Sequence, residues 1–413
     1  MNGRARPTPR YITTHYTDRG TRFLVFPQPR SLSAFRTPET IHLAARPGTI
    51  KAGPRDAQMA VVDALGKRPY FADGVQRASP PYRGPRSRRR ARPRRGHFDH
   101  IRPLPGSARE FSAAMVYAVI RLTLMVWEHY LGRPVRWYFR RSFPRLEIIP
   151  RIVSGTAYSR PGYIECGILR RGRHVTPLCE NFDVVAHETG HMILRDVIGH
   201  PDHLQAVECR AREEAFADIV SMVTLLHFRK VTVHLLRQTR GNLFSRNVLS
   251  NLGELSRTRT IRRAFNDSAL STLDWDPDPD AFKYALAAPL TAAVFDILVD
   301  MYEDALVGRR AIRRTLARAS FDSLGREQRD VQRLFDEAYR RRAPHFEEAL
   351  IEARDRFGFL LARAWRRTTP YDLYPTVART LIDAGREMGG APLARTVREA
   401  LQFRDIVAAP APA

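Results

Sequence analysis

Lysine is nearly missing from this chain. Of its 68 basic residues only Lys51, Lys67, Lys230 and Lys283 are lysine, and the other 64 are arginine. Cysteine is scarce too: Cys166, Cys179 and Cys209 are too few for a disulfide framework, and none stands in a CxxC pair that would hold a metal through thiolates. A disulfide-stapled scaffold is excluded, and a reducing compartment is the expectation. Long apolar runs are also lacking. Ala113 to Trp127 is interrupted by Arg121, and Ala285 to Val299 by Pro289 and Asp296, so neither reaches the roughly 18 uninterrupted apolar residues of a membrane span. The amino terminus, MNGRARPTPRYITTHYTDRG, has no apolar stretch of the kind a signal peptide carries. These absences predict a soluble, cytoplasmic protein with no membrane partner.

What is present is a chain of 413 residues, 44% hydrophobic, which is enough to bury substantial cores in two or three units. Its formal charge of +25 has two readings: a compositional bias toward arginine, as in a GC-rich genome, or a surface for nucleic acid. The densest stretch, PYRGPRSRRRARPRRG, places eight arginines between Arg83 and Arg95 with proline and glycine interleaved. Like charges repel and those residues break regular structure, so a solvated linker or loop is expected, able to touch nucleic acid or an acidic partner.

Along the chain, Tyr11 to Tyr16 and Arg22 to Phe26 read as a hairpin, and short apolar runs at Ile41-His42-Leu43 and Val61-Val62 continue a β-rich unit. Phe111, Met115, Ala118, Leu122 and Met125 recur at steps of four and three, which predicts an amphipathic helix ending near Leu131-Gly132. Leu146 to Ile149 and Tyr163 to Cys166 have strand character. From about residue 182 nearly everything reads helical, including 331–341, 346–366 and 393–403. The expected fold class is α+β, with a small β-rich unit at 1–76, an Arg/Pro-rich linker at 77–106, a core carrying the chemistry at 107–228, a helical domain at 229–405 and a disordered tail at 406–413.

The chemistry lies in NFDVVAHETGHMILRDVIGHPD, residues 181–202. His187-Glu188-Thr189-Gly190-His191 is an HExxH pattern, and on a helix positions i and i+4 share a face, so His187 and His191 can aim two imidazoles at one point. Glu188, rotated about 100° from His187, flanks that point. The next helix, EEAFADIVSMVTLL, offers Glu214 and Asp218 at the same spacing. Two neutral imidazoles and one carboxylate make a three-ligand Zn²⁺ site with a position left for water. In that reading His187, His191 and Glu214 hold the metal, Glu188 moves the water's proton, and Asp218 accepts the Nδ1 hydrogen of His187. Glu213 is the alternative ligand, about 100° off the Asp218 face. Two helical histidines satisfied by neighbouring carboxylates, with no metal, remain the plainer alternative.

Over roughly residues 180–228 the chain resembles the gluzincin metallopeptidases, in particular the thermolysin-like group. FDVVAHETGHMI is similar to that family's metal-binding helix and EEAFADIV to its glutamate helix. The resemblance implies a thermolysin-like zincin core, a zinc cofactor, a peptide or protein substrate, and the roles given above. It further implies that GTAYSRPGYIECG, residues 155–167, is an edge strand beside the zinc, where Ala157 and Tyr158 offer backbone groups to an extended substrate. DPDAFKYALAAPLTAAVFDILVDMY resembles the later helix that carries a transition-state histidine. No histidine lies between His234 and His345, however, and Tyr284 falls nearest the vacated position, from which a phenol can donate to a developing oxyanion. His200 and His203 are further candidates. The departure keeps a metal-binding but catalytically inactive interaction protein open as an alternative.

Overall fold

Strand β1, Thr21–Val25, alternates buried and half-buried positions, and it pairs antiparallel with β2, Glu39–Leu43, so that Phe23, Val25, Ile41 and Leu43 face one core. The computed structural model describes residues 20–72, 74–93, 100, 108–171, 174–203, 205–245, 247–252, 262–322 and 329–408. The first half of the expected hairpin, Tyr11 to Tyr16, lies outside these. The second half takes β2 as its partner across a longer connection. That connection carries Phe26 and Phe35 into the same core, which a tight turn would not do.

Strands β3 (Met59–Val61), β4 (Phe71–Ala72) and β5 (Val75–Gln76) come next in sequence, and β4 and β5 form a two-stranded ribbon. The main sheet has four strands in the order β3-β6-β8-β7, built with β6 (Leu146–Ile149), β7 (Ala157–Arg160) and β8 (Tyr163–Cys166). Strands β3, β6 and β8 run parallel, and β7 folds back antiparallel on β8. The corner between them is Pro161-Gly162, with Gly162 at φ +88, a conformation glycine adopts without a side-chain clash. Every residue of β6 and β8 is buried, including two glutamates. Glu147 accepts hydrogen bonds from the Tyr70 hydroxyl (2.6 Å) and the Tyr82 amide (3.0 Å), while Glu165 pairs with Lys67 and accepts from the Tyr70 amide (2.9 Å). Buried carboxylates need such partners, and here they tie residues 67–82 across the sheet. The arginine-rich stretch is fastened as well, through Leu65 N to Pro85 O, Ser87 N to Asp63 O and Gly53 N to Ala91 O. Its side chains at Arg83, Arg86, Arg88, Arg89, Arg90 and Arg92 are exposed.

Two short ribbon strands, β9 (Ile168–Arg171) and β10 (His174–Pro177), lead to the helical half. Helix α1 is Ala108–Leu131, α2 Phe182–Val197, α3 Val207–Leu225 and α4 Arg229–Thr239; β11 (Asn251–Leu252) and β12 (Arg262–Arg263) pair next. Then follow α5 (Pro279–Gly308), α6 (Arg314–Asp322), α7 (Arg329–Trp365), which kinks at Arg342, and α8 (Tyr374–Phe403), which breaks at Gly390. Helix α3 is central: from Ala211 to Leu225 only Glu213 is not fully buried, and α2 and α5 pack on it. The Trp127 indole of α1 donates to Val220 O (3.3 Å) and stacks on Trp365 of α7 with centroids 4.7 Å apart.

Helices α1 and α5 run through the residues expected to interrupt them. Arg121 bonds Gln58, and Asp296 pairs with Arg404 at 2.9 Å, so each polar group finds a partner without breaking its helix. By length and composition Arg109–Leu131 and Pro279–Gly308 are therefore apolar enough to cross a membrane, which differs from the sequence expectation. Protein covers 83% and 67% of their most apolar windows, so that apolar surface lines the core.

Candidate metal centre

Asn181 begins the site by capping α2, its side chain accepting from the Val184 amide at 3.1 Å. Asp183 sits in the first turn, where a carboxylate favours the helix dipole, and takes the Gln28 amide at 3.3 Å. Val185, Ala186, Met192, Ile193 and Leu194 anchor the helix in the core. On the side facing α3 the residue is Gly190, and a Cβ there would lie 3.0 Å from Ala217 Cα and 3.1 Å from Val220 Cβ. Glycine lets the two backbones approach closely enough for Glu214 to meet the histidines.

Three donor atoms converge. His187 Nε2 is 3.1 Å from His191 Nε2 and 3.3 Å from Glu214 Oε2, and His191 Nε2 is 3.9 Å from the same oxygen. A circle through these three atoms has a radius of about 2.0 Å, which matches the zinc–nitrogen and zinc–oxygen distances of about 2.0–2.2 Å. The donor chemistry and the spacing both fit a divalent cation with two imidazoles and a carboxylate, and these are the residues that form the metal-competent group among those described.

Each ligand is backed by a second group of opposite character. His187 Nδ1 donates to Asp218 Oδ1 at 2.8 Å, and Arg262 grips the same carboxylate through Nε (2.7 Å) and a terminal nitrogen (2.6 Å). His191 Nδ1 donates to Glu213 Oε1 at 2.9 Å, which in turn pairs with Arg195 Nε at 2.9 Å. Glu214 presents its other oxygen, Oε1, to Lys283 Nζ at 3.2 Å. The carboxylates fix the orientation of the two rings and raise their basicity, while the Lys283 ammonium holds the Glu214 carboxylate in its ionised form.

The charges follow from this arrangement. Burial works against ionising Glu213, yet Arg195 and His191 outweigh it and hold the carboxyl at about 2. Burial is likewise overcome at Asp218 by Arg262 and His187, and at Glu214 by the two histidines, so both stay ionised. For His187, burial and Arg262 oppose protonation, but Asp218 and Glu214 prevail and lift it to about 9 without a metal. An arriving cation therefore displaces a proton.

The candidate residues line one cleft of about 880 Å³. Glu188 is half-buried on its wall, next to His187 in the chain and not among the three converging donors. Ala157 and Tyr158 line it from β7, which occupies the edge of the main sheet. Tyr284 also faces the cleft, its ring 4.7 Å from Lys283 Nζ and 5.3 Å from the Arg262 guanidinium. Burial and the neighbouring Glu214 raise its pKa, so the phenol keeps its proton. His203 reaches the cleft mouth stacked on Tyr371, whereas His200 packs at a tilt against Tyr138 and does not line the cleft.

Four participants take roles that the sequence did not assign to them. Glu213 supports a histidine where the alternative was ligation. Arg195 stands four positions after His191, a spacing that puts both on one helix face. Lys283 adjoins Tyr284 and is one of only four lysines. Arg262 carries no local signal, since it is one arginine among many and reaches the site from 75 residues beyond His187.

The structure is an α+β fold that brings together a His-His-Glu group able to hold a metal ion, and this fold is of the thermolysin-like kind. The structure is similar to that of the precursor of protealysin, a metalloproteinase from Serratia proteamaculans, with a TM-score of 0.51 over 89% of this chain and 92% of that one. Identity over the match is 12%, so the likeness speaks to fold alone. No family model and no curated protein matches the sequence.

Proposed function

We propose that this chain is a zinc-dependent peptidase of the gluzincin type, with His187, His191 and Glu214 as metal ligands. The observation that carries this reading is the triangle of two imidazole nitrogens and one carboxylate oxygen, sized for zinc, at the floor of a cleft walled by Glu188 and an open strand edge. Zinc, when bound there, lowers the pKa of a water and polarises a carbonyl. The remaining work falls to the protein.

Glu188, beside the ligands and outside their triangle, takes the water's proton and delivers it to the departing amine nitrogen. Asp218 and Glu213 hold the two histidines with Nδ1 protonated, leaving each Nε2 lone pair free for the metal. The edge of β7 at Ala157 and Tyr158 pairs with the backbone of an extended peptide, so register and not side-chain identity sets the first contact. Leu169, Leu178 and Val184 give the cleft apolar wall and favour an apolar side chain. The experiment is digestion of a peptide library by zinc-loaded wild type and Glu188→Gln, both checked for zinc content. Cleavage by the wild type, lost in a variant that keeps its zinc, is the expected result. Equal cleavage by both overturns the role of Glu188, and no cleavage by a zinc-loaded wild type overturns the peptidase.

A further inference from the structure

Attack on a peptide carbonyl builds negative charge on its oxygen, and donors already aimed at that position supply much of the rate enhancement. Nearly every cation at the cleft is committed elsewhere. Arg262 is clamped on Asp218 through two nitrogens with its remaining terminal nitrogen 3.8 Å from Glu214 Oε2, Arg195 is held on Glu213 and the Tyr138 hydroxyl, and Arg210 on Asp280 at the mouth; the Arg160 guanidinium lies 3.6 Å from the centre of the Phe71 ring. Lys283 differs. Its ammonium rests 3.2 Å from Glu214 Oε1, the oxygen turned away from the histidines, and its side chain is 18% exposed where α5 meets the cleft. An ammonium has three N–H donors, so binding Glu214 and approaching Tyr284 leaves a hydrogen for the cleft. In a chain where arginine is the default cation, a lysine here is also a choice of shape: a compact point charge fits beside a ligand carboxylate where a planar fork would reach past it.

We propose that Lys283 is a catalytic residue that donates a hydrogen bond to the carbonyl oxygen of the scissile peptide as negative charge develops on it. The inference rests on the peptidase reading. As the water oxygen bonds to the carbonyl carbon, the π pair of the C=O moves onto the carbonyl oxygen. Lys283 donates an N–H to that oxygen and transfers no proton. When the C–N bond breaks, the pair returns to reform C=O, and the leaving nitrogen takes the proton held by Glu188. The bond from Lys283 to Glu214 keeps the ammonium aimed before substrate arrives.

The test uses zinc-loaded full-length protein in the Glu188→Gln background, where a peptide binds without being consumed. Two ligands are compared by calorimetry: a leucine-flanked tripeptide, and the same tripeptide with a phosphonate in place of the scissile amide. The tetrahedral anion resembles the attacked carbonyl and the amide does not. Adding Lys283→Met is expected to weaken the phosphonate about 100-fold and the amide less than about 3-fold, both ligands being measured on protein saturated with zinc; Lys283→Gln serves as the second variant. Equal weakening of both ligands, no weakening of either, or loss of zinc from both variants overturns the assignment. A parent protein that holds zinc and binds the phosphonate while Lys283→Met matches it removes Lys283 alone. One that binds neither zinc nor phosphonate removes the peptidase reading itself.

Discussion

Gly190 and Ala217 are the point at which the two metal helices touch: a Cβ on the glycine would lie 3.0 Å from the Ala217 Cα, closer than ordinary contact. Ala217 stands between Glu214 and Asp218 on α3, and Gly190 between Glu188 and His191 on α2. The helix separation fixed by this pair therefore sets whether the glutamate oxygen falls 3.3 Å from His187 Nε2 or out of reach.

Widening that contact is expected to cost metal before it costs fold. Gly190→Ala should reduce zinc affinity about tenfold and destabilise the protein by about 1–3 kcal/mol through overpacking, and Gly190→Val should do more of both. Zinc titration and denaturant unfolding measure the two effects. Unchanged zinc affinity in Gly190→Val would show that the ligand geometry does not depend on the helix approach.

The two histidines have separate supports, and removing either charge should loosen the metal. Asp218→Asn and Glu213→Gln are each expected to lower zinc affinity about 10–100-fold, because each fixes the Nδ1–H tautomer of one ligand. Asp218→Asn also leaves Arg262 without its buried partner, so the larger loss of stability is expected there. Competition with a chelator of known affinity reads the first effect, and thermal unfolding of the metal-free proteins reads the second. Variants that hold zinc as tightly as the parent would contradict these roles.

Away from the site, His227 makes stability depend on pH. Tyr130 donates its hydroxyl proton to Asp355 (2.9 Å), so the ring donates Nε2–H to the tyrosine oxygen (2.9 Å). Burial, with Arg354 close by, pushes its pKa well below the usual histidine value. An unfolded chain takes up a proton below about pH 6.5 that the folded chain refuses. This histidine's contribution is therefore intact above that pH and falls by about 1.4 kcal/mol per unit as pH drops below it. His227→Gln, which keeps a donor and cannot titrate, should be less sensitive between pH 7.5 and 5.5. Parallel stability curves for the two proteins would contradict this.

The site was half legible in the sequence, and the division has a physical cause. His187, Glu188, His191, Glu214 and Asp218 lie on two consecutive helices, where a spacing of four fixes a common face, so their convergence follows from helix geometry. Lys283 and Arg262 reach Glu214 and Asp218 from segments beyond both ligand helices, Arg262 from 44 residues past Asp218, and no period connects them. Within the fold, Leu146–Ile149 and Tyr163–Cys166 announced themselves as strands through β-branched and aromatic runs. The partner of β1 did not, because Phe26 and Phe35 in the intervening loop belong to the core, and only packing reveals that. The interrupting Arg121 and Asp296 misled for the same reason: their partners, Gln58 and Arg404, are remote.

The account stands most directly on zinc stoichiometry. Full-length protein equilibrated with zinc, freed of excess metal and measured by elemental analysis should carry one zinc per chain, and Glu214→Ala and His191→Ala should each lose it while remaining folded. A wild type that retains no stoichiometric zinc, or a Glu214→Ala protein that retains as much as the wild type, would contradict the claim that these three side chains form one metal centre.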